Sequence, residues 1–95
     1  MDIKYYFKLY NRNHEFIDEL YIFSNVEYTK TLNGICNMTF NIPIRYLSEK
    51  NIELSLGQHI ELYRIEDHKE SLLWYGVVNS PSPQSGDINC TCLGY

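Results

Sequence analysis

The chain has 95 residues, a formal net charge of −4 at pH 7 and a hydrophobic fraction of 44%. That length suits one compact core rather than two. Nine Tyr, ten Ile, ten Leu, nine Asn and no Ala argue against a helical bundle, because Ala is the best helix former while Tyr and Ile favour strands and Asn favours turns.

Further classes fall away on the same grounds. No apolar run approaches the ~18–20 residues that span a bilayer. The opening MDIKYYFKLY alternates apolar and polar residues, whereas a signal peptide has a continuous apolar stretch. A cytoplasmic protein, or one released without the secretory route, is expected. The acidic balance argues against nucleic acid as a partner.

In chain order, Ile3, Tyr5, Phe7 and Leu9 alternate with Lys4, Tyr6, Lys8 and Tyr10, a strand with the first set inward and the second facing solvent. Asn11 to His14 is a turn. Glu15 to Phe23 fits an extended segment better than a helix, following a turn that suits a hairpin. Val26–Leu32 and Ile35–Ile42 flank Asn33-Gly34, a type I′ hairpin signal, with Cys36, Met38, Phe40 and Ile42 on the inner face. Pro43 ends that strand.

Arg45 to Leu56 reads as a connection with one helical turn around Tyr46–Lys50. His59 to Ile65 is a strand with Ile60 and Leu62 inward, Glu66 to Glu70 a hairpin loop, and Ser71 to Val78 a strand apolar on both faces, hence central or covered on both sides. Pro81 and Pro83, among Ser80, Ser82, Ser85 and Gly86, mark a second loop before a last strand, Asp87 to Leu93. The expected fold is all-β, a small antiparallel β-barrel or sandwich of six to seven short strands, forming a single β domain over residues 1–95. Phe40, Ile42, Ile60 and Leu62 are expected in its core, with Trp74 beside them. Leu93-Gly94-Tyr95 follows a strand directly, which reads like the first domain of a longer protein.

Candidate chemistry is sparse. Cys36, Cys90 and Cys92 make an odd count, and a Cys-x-Cys without a second pair does not meet the four-ligand need of structural zinc. Buried thiols packing as small apolar groups are expected. The triplets Asn37-Met38-Thr39 and Asn89-Cys90-Thr91 fit glycosylation acceptors but lack a secretion signal. His14, His59 and His68 fall in turns and at a strand start, outside any motif, so a metal site joining His14 or His59 to Cys90 and Cys92 is not expected. Asp18-Glu19 and Glu66-Asp67 are sequence neighbours rather than opposed carboxylates. Catalytic, cofactor-binding and metal residues are therefore all expected to be none, and the protein is not expected to be an enzyme. Outward tyrosines remain, since Tyr joins apolar area to a polar tip and suits glycan or protein partners, although cross-strand packing explains them equally.

From Leu32 to Val78 the chain carries a recognisable series: Leu32-Asn33-Gly34-Ile35, Phe40-Asn41-Ile42-Pro43, Leu56-Gly57-Gln58-His59-Ile60-Glu61-Leu62-Tyr63 and Trp74-Tyr75-Gly76-Val77-Val78. This resembles the N-terminal domain of bacteriophage tail proteins of the baseplate-hub or tail-tip kind, over roughly Ser24 to Tyr95. The resemblance implies a structural role in a trimer or hexamer ring joining tail tube to tip, with partners among other tail proteins. It implies location in the virion tail after assembly in the bacterial cytoplasm, and no catalytic residues or cofactors. Tyr6, Tyr10 and Tyr28 are the expected partner contacts. A free-standing β module that binds glycan or protein is the alternative.

Overall fold

In the computed structural model, which describes residues 3–28 and 37–94, the chain is all-β with one short helix. Strand β1 spans Ile3–Tyr10 and β2 spans Phe16–Leu20. Between them the Asn11 carboxamide accepts hydrogen bonds from the Asn13 and Glu15 N–H groups at 2.8 and 2.9 Å, and His14 takes a left-handed φ of 63°. That side-chain bonding is how Asn builds turns. Of the segment expected to be extended, Glu15 to Phe23, Phe16–Leu20 is strand and the chain bends over Tyr21–Phe23.

Strand β3, Ser24–Tyr28, pairs antiparallel with β4, Asn37–Pro43. The Asn33-Gly34 turn and Cys36 lie outside the described residues. Met38, Phe40 and Ile42 are fully buried, the inner face anticipated from their alternation. Pro43 ends the strand and is followed at once by helix α1, Ile44–Glu49, where only Leu47 is buried. Strand β5, His59–Glu66, and β6, Lys69–Gln84, meet through Asp67 and His68, both with positive φ. The loop expected over Glu66–Glu70 is thus a tight two-residue turn.

Pro81 and Pro83 require a correction. They lie inside β6, paired with Cys90 and Ile88 of β7, Asp87–Gly94. Pairing with β5 stops at Val77, opposite His59. Prolines two residues apart put their missing donors on one side of a strand, and here that side has no ladder partner among the described residues. The turn is made instead by Ser85-Gly86, where Gly86 has φ +78°.

The strands form one antiparallel sheet in the order β2-β1-β5-β6-β7-β4-β3. Six spacings of about 4.8 Å would put β2 and β3 nearly 29 Å apart in a flat sheet. Yet only Tyr21, Ile22 and Phe23 separate them in sequence, a reach of about 14 Å from Leu20 to Ser24. The sheet therefore curls into a barrel. Phe16 to Tyr28 acts as one bent strand whose first half pairs with β1 and whose second half pairs with β4.

The interior holds Phe7, Leu9, Leu20, Met38, Phe40, Ile42, Ile60, Leu62, Trp74, Val78, Cys90 and Cys92, joined by Leu47 and Leu54 from the β4–β5 connection. The expected core residues Phe40, Ile42, Ile60, Leu62 and Trp74 are all among them. Buried Gln58 orders the connection: its side chain accepts from the Ser55 N–H at 2.9 Å and donates to the Glu53 carbonyl at 2.8 Å.

Candidate functional site

The outer face of β1 and β5 carries a stack of tyrosines. Tyr6 lies directly across from Tyr63 in the β1–β5 ladder, and Tyr21 reaches over from the bend between β2 and β3. Tyr6 is sandwiched between the two, with ring centroids 5.4 Å apart on each side and planes inclined by 18°. The Lys8 ammonium sits 4.6 Å from the Tyr63 ring centre, a favourable cation–π contact, and 3.7 Å from Glu70.

Carboxylates hold the phenols. Glu61 Oε1 accepts from the Tyr10 hydroxyl at 2.8 Å and from the Tyr63 hydroxyl at 3.0 Å, and Glu19 accepts from Tyr21 at 3.0 Å. Desolvation, then the hydrogen bond to Glu61, pushes the Tyr10 phenol up to about 12. Tyr63 and Tyr21 are raised for the same reasons, with Glu61 and Glu19 as their respective partners. These phenols stay protonated through neutral pH and act as hydrogen-bond donors beside anionic acceptors.

Tyr6 differs from its expected solvent-facing position. It is 3% exposed, because Tyr21 and Tyr63 cover both ring faces. Conversely, Tyr5 was expected inside and is 47% exposed, since the wall beyond it is open. Tyr10 is half-buried on the same face as Tyr6, packed edge-on to Phe16 with centroids 5.8 Å apart. Tyr28 is exposed on β3 and belongs to a different surface. Thus Tyr6 and Tyr10 share one site and Tyr28 does not. Tyr21 and Tyr63 were missed. Tyr63 could be paired with Tyr6 only once the β1–β5 register was known.

That different surface is a slit. On β1, residues Phe7–Tyr10 pair with β2, while Ile3–Tyr6 have only β5 as ladder partner among the described residues. Strand β3 has already turned away to β4. The gap opens onto a cavity of about 340 Å³ lined by Tyr5, Phe23, Val26, Tyr28, Leu62, Arg64 and Leu73. Among the described lining residues the one cation, Arg64, donates to Glu66 at 2.6 Å.

The fold also brings His14 and His59 together, stacked with ring centroids 3.4 Å apart. Cys90 and Cys92 lie elsewhere, in the core, with their sulfurs 3.8 Å apart. Their mutual hydrogen bond, followed by burial, raises the Cys92 thiol far above the ordinary range, so it packs as a neutral apolar group. Among the described residues, no cluster of three or more His, Cys, Asp or Glu is placed to hold a metal ion, and no helix is long and apolar enough to cross a membrane. Comparison with family models, curated proteins and solved structures finds no match.

Proposed function

We propose that this chain is a structural component of a phage tail tip or baseplate hub, assembling through its β domain into a trimeric or hexameric ring that joins tail tube to tip. The observation that carries the reading is the run of exposed apolar side chains along β2 and its bend. Phe16 is 56% exposed and Tyr21 and Ile22 are each 54%, with Ile17 beside them. An apolar strip of this kind on a charged domain suits burial against a neighbouring subunit. Three of the motifs behind the resemblance fall on the β4 end, the approach to β5 and the centre of β6, and Leu32–Ile35 lies outside the described residues. Light scattering of the full chain across a wide concentration range tests the proposal. A discrete trimer or hexamer supports it, and a strict monomer at every concentration counts against it.

A second reading, a β module that binds glycan or protein, is favoured by the Tyr10–Glu61–Tyr63 cluster, which pairs aromatic faces with polar acceptors. Sugar-dependent tyrosine or tryptophan fluorescence would support that reading over the first.

A further inference from the structure

We propose that Cys90 and Cys92 make the folding of this chain depend on redox state: a disulfide closed between them in the unfolded chain shortens β7 and keeps it out of the barrel.

The two thiols stand two residues apart on the inner face of β7, both fully buried, with their sulfurs 3.8 Å apart. In a strand, residues i and i+2 are separated by about 6.7 Å and their Cα–Cβ bonds point the same way. A disulfide needs its two Cβ atoms only about 3.5–4.5 Å apart. The sulfurs are therefore near neighbours, but the backbone that carries them is about 2 Å too long for the bond. Bridging them contracts or kinks the chain at Thr91.

Strand β7 has no room to absorb that contraction. It lies between β6 and β4 and is paired on both sides. Against β4 the register runs without interruption, from Leu93 opposite Asn37 to Asp87 opposite Pro43, with Thr91 opposite Thr39. Against β6, Thr91 stands opposite Ser80, beside the register shift between Val78 and Ser80. On the inner face Cys92 is opposite Met38 and Val78, and Cys90 is opposite Phe40. All three of those neighbours are fully buried, and a close-packed core does not follow such a displacement. A shortened β7 loses both ladders at once. The sheet is then cut between β6 and β4, and Phe40 no longer reaches its place in the core.

The native fold encloses both sulfurs, so the reaction belongs to the unfolded chain. With glutathione disulfide as oxidant, the thiolate of one cysteine attacks a glutathione sulfur, breaks its S–S bond and expels one glutathione thiolate. The second cysteine, as thiolate, attacks the protein sulfur of the mixed disulfide, forms the Cys90–Cys92 bond and expels the other glutathione. Two protein thiols are oxidised, one glutathione disulfide is reduced to two glutathiones, and the thiol protons pass to them through water. A reductant reverses the step and frees the chain to fold.

The test uses the full chain carrying Cys36→Ser, so that only these two thiols remain. The chain is oxidised in urea with glutathione disulfide, and the closed form is identified by intact mass as the loss of two hydrogen atoms with no glutathione attached. Oxidised and reduced samples are then diluted from urea and followed by Trp74 fluorescence and amide NMR. The reduced chain is expected to refold. The oxidised chain should show a folding equilibrium constant lowered by about tenfold or more, and a phosphine reductant should restore the native spectrum. An oxidised chain that refolds with the urea midpoint of the reduced chain overturns the proposal, because β7 would then accommodate the bridge. A disulfide that never closes in the unfolded chain overturns it as well. Should Cys36→Ser itself prevent refolding of the reduced chain, the same comparison is made on the parent, with the bond located by peptide mapping.

Discussion

Phe7 on β1 and Phe40 on β4 meet with ring centroids 4.5 Å apart, although β5, β6 and β7 lie between their strands in the sheet. Across a flat sheet the four intervening spacings would hold them about 19 Å apart. Their contact, with Phe23 also 4.5 Å from Phe7, closes the barrel. The bend Tyr21–Phe23 is thereby tied to the core from within, while Tyr21 joins the tyrosine stack outside.

Removing the closure should be costly. Phe40→Ala is expected to destabilise the fold by about 3–5 kcal/mol, because the ring is fully buried and the facing strands cannot collapse into its space. A urea midpoint close to that of the parent would show that the contact is incidental.

Gly76 sits where β6 passes β7, opposite Gly94. A Cβ there would collide with the Leu93 carbonyl oxygen and come within 2.6 Å of the Trp74 indole. One obstacle is backbone and the other is a ring packed in the core, so neither yields easily. Gly76→Ala is expected to cost about 1–3 kcal/mol or more, read as a lowered melting temperature with altered tryptophan fluorescence.

The tyrosine–carboxylate network makes a pH prediction. The Tyr10 phenol is raised from 10.0 to about 12 in the folded chain, mainly by desolvation and then by Glu61. Between those values the unfolded chain has released this proton and the native chain keeps it. Stability supplied by the protonated phenol is therefore complete below pH 10 and falls as pH rises toward 12. Tyr21 and Tyr63 shift the same way. Denaturation curves at pH 9 and pH 11 should differ, and Tyr10→Phe should reduce the difference. Equal slopes in parent and variant would contradict the assignment.

Cys90 and Cys92 should be inert while the chain is folded, because both are fully buried and the Cys92 thiol is held protonated. A thiol-specific chromogenic reagent is expected to titrate these two cysteines only after denaturant is added. Rapid modification of either by mass spectrometry under native conditions would mean that the core opens readily.

The split of Gln58 contacts is also testable. Gln58→Leu would strand the Ser55 N–H and the Glu53 carbonyl, at a cost of about 1–3 kcal/mol. Faster amide exchange at Ser55 should accompany the loss.

Local pattern alone determined much of this protein. Alternation over Ile35–Ile42 named Met38, Phe40 and Ile42 as buried, and Ser71–Val78, read as central or covered on both sides, does lie between β5 and β7, although Leu72 and Tyr75 leave its outer face exposed. These readings succeed because side-chain direction has a period of two wherever a strand forms. Only the tertiary structure decided the rest. Tyr6 shares its solvent-facing parity with Lys4, yet it is buried because Tyr63 stands across from it and Tyr21 folds over it, neighbours set by register and by a bend 15 residues away in sequence. Pro81 and Pro83 read as a loop but lie in a strand, because proline is excluded only where a partner needs its donor, and partners are settled by strand order. The slit, too, exists only because one bent strand must serve two edges. Sequence periodicity tells each residue which way it points, while the closure of the sheet decides what it meets there.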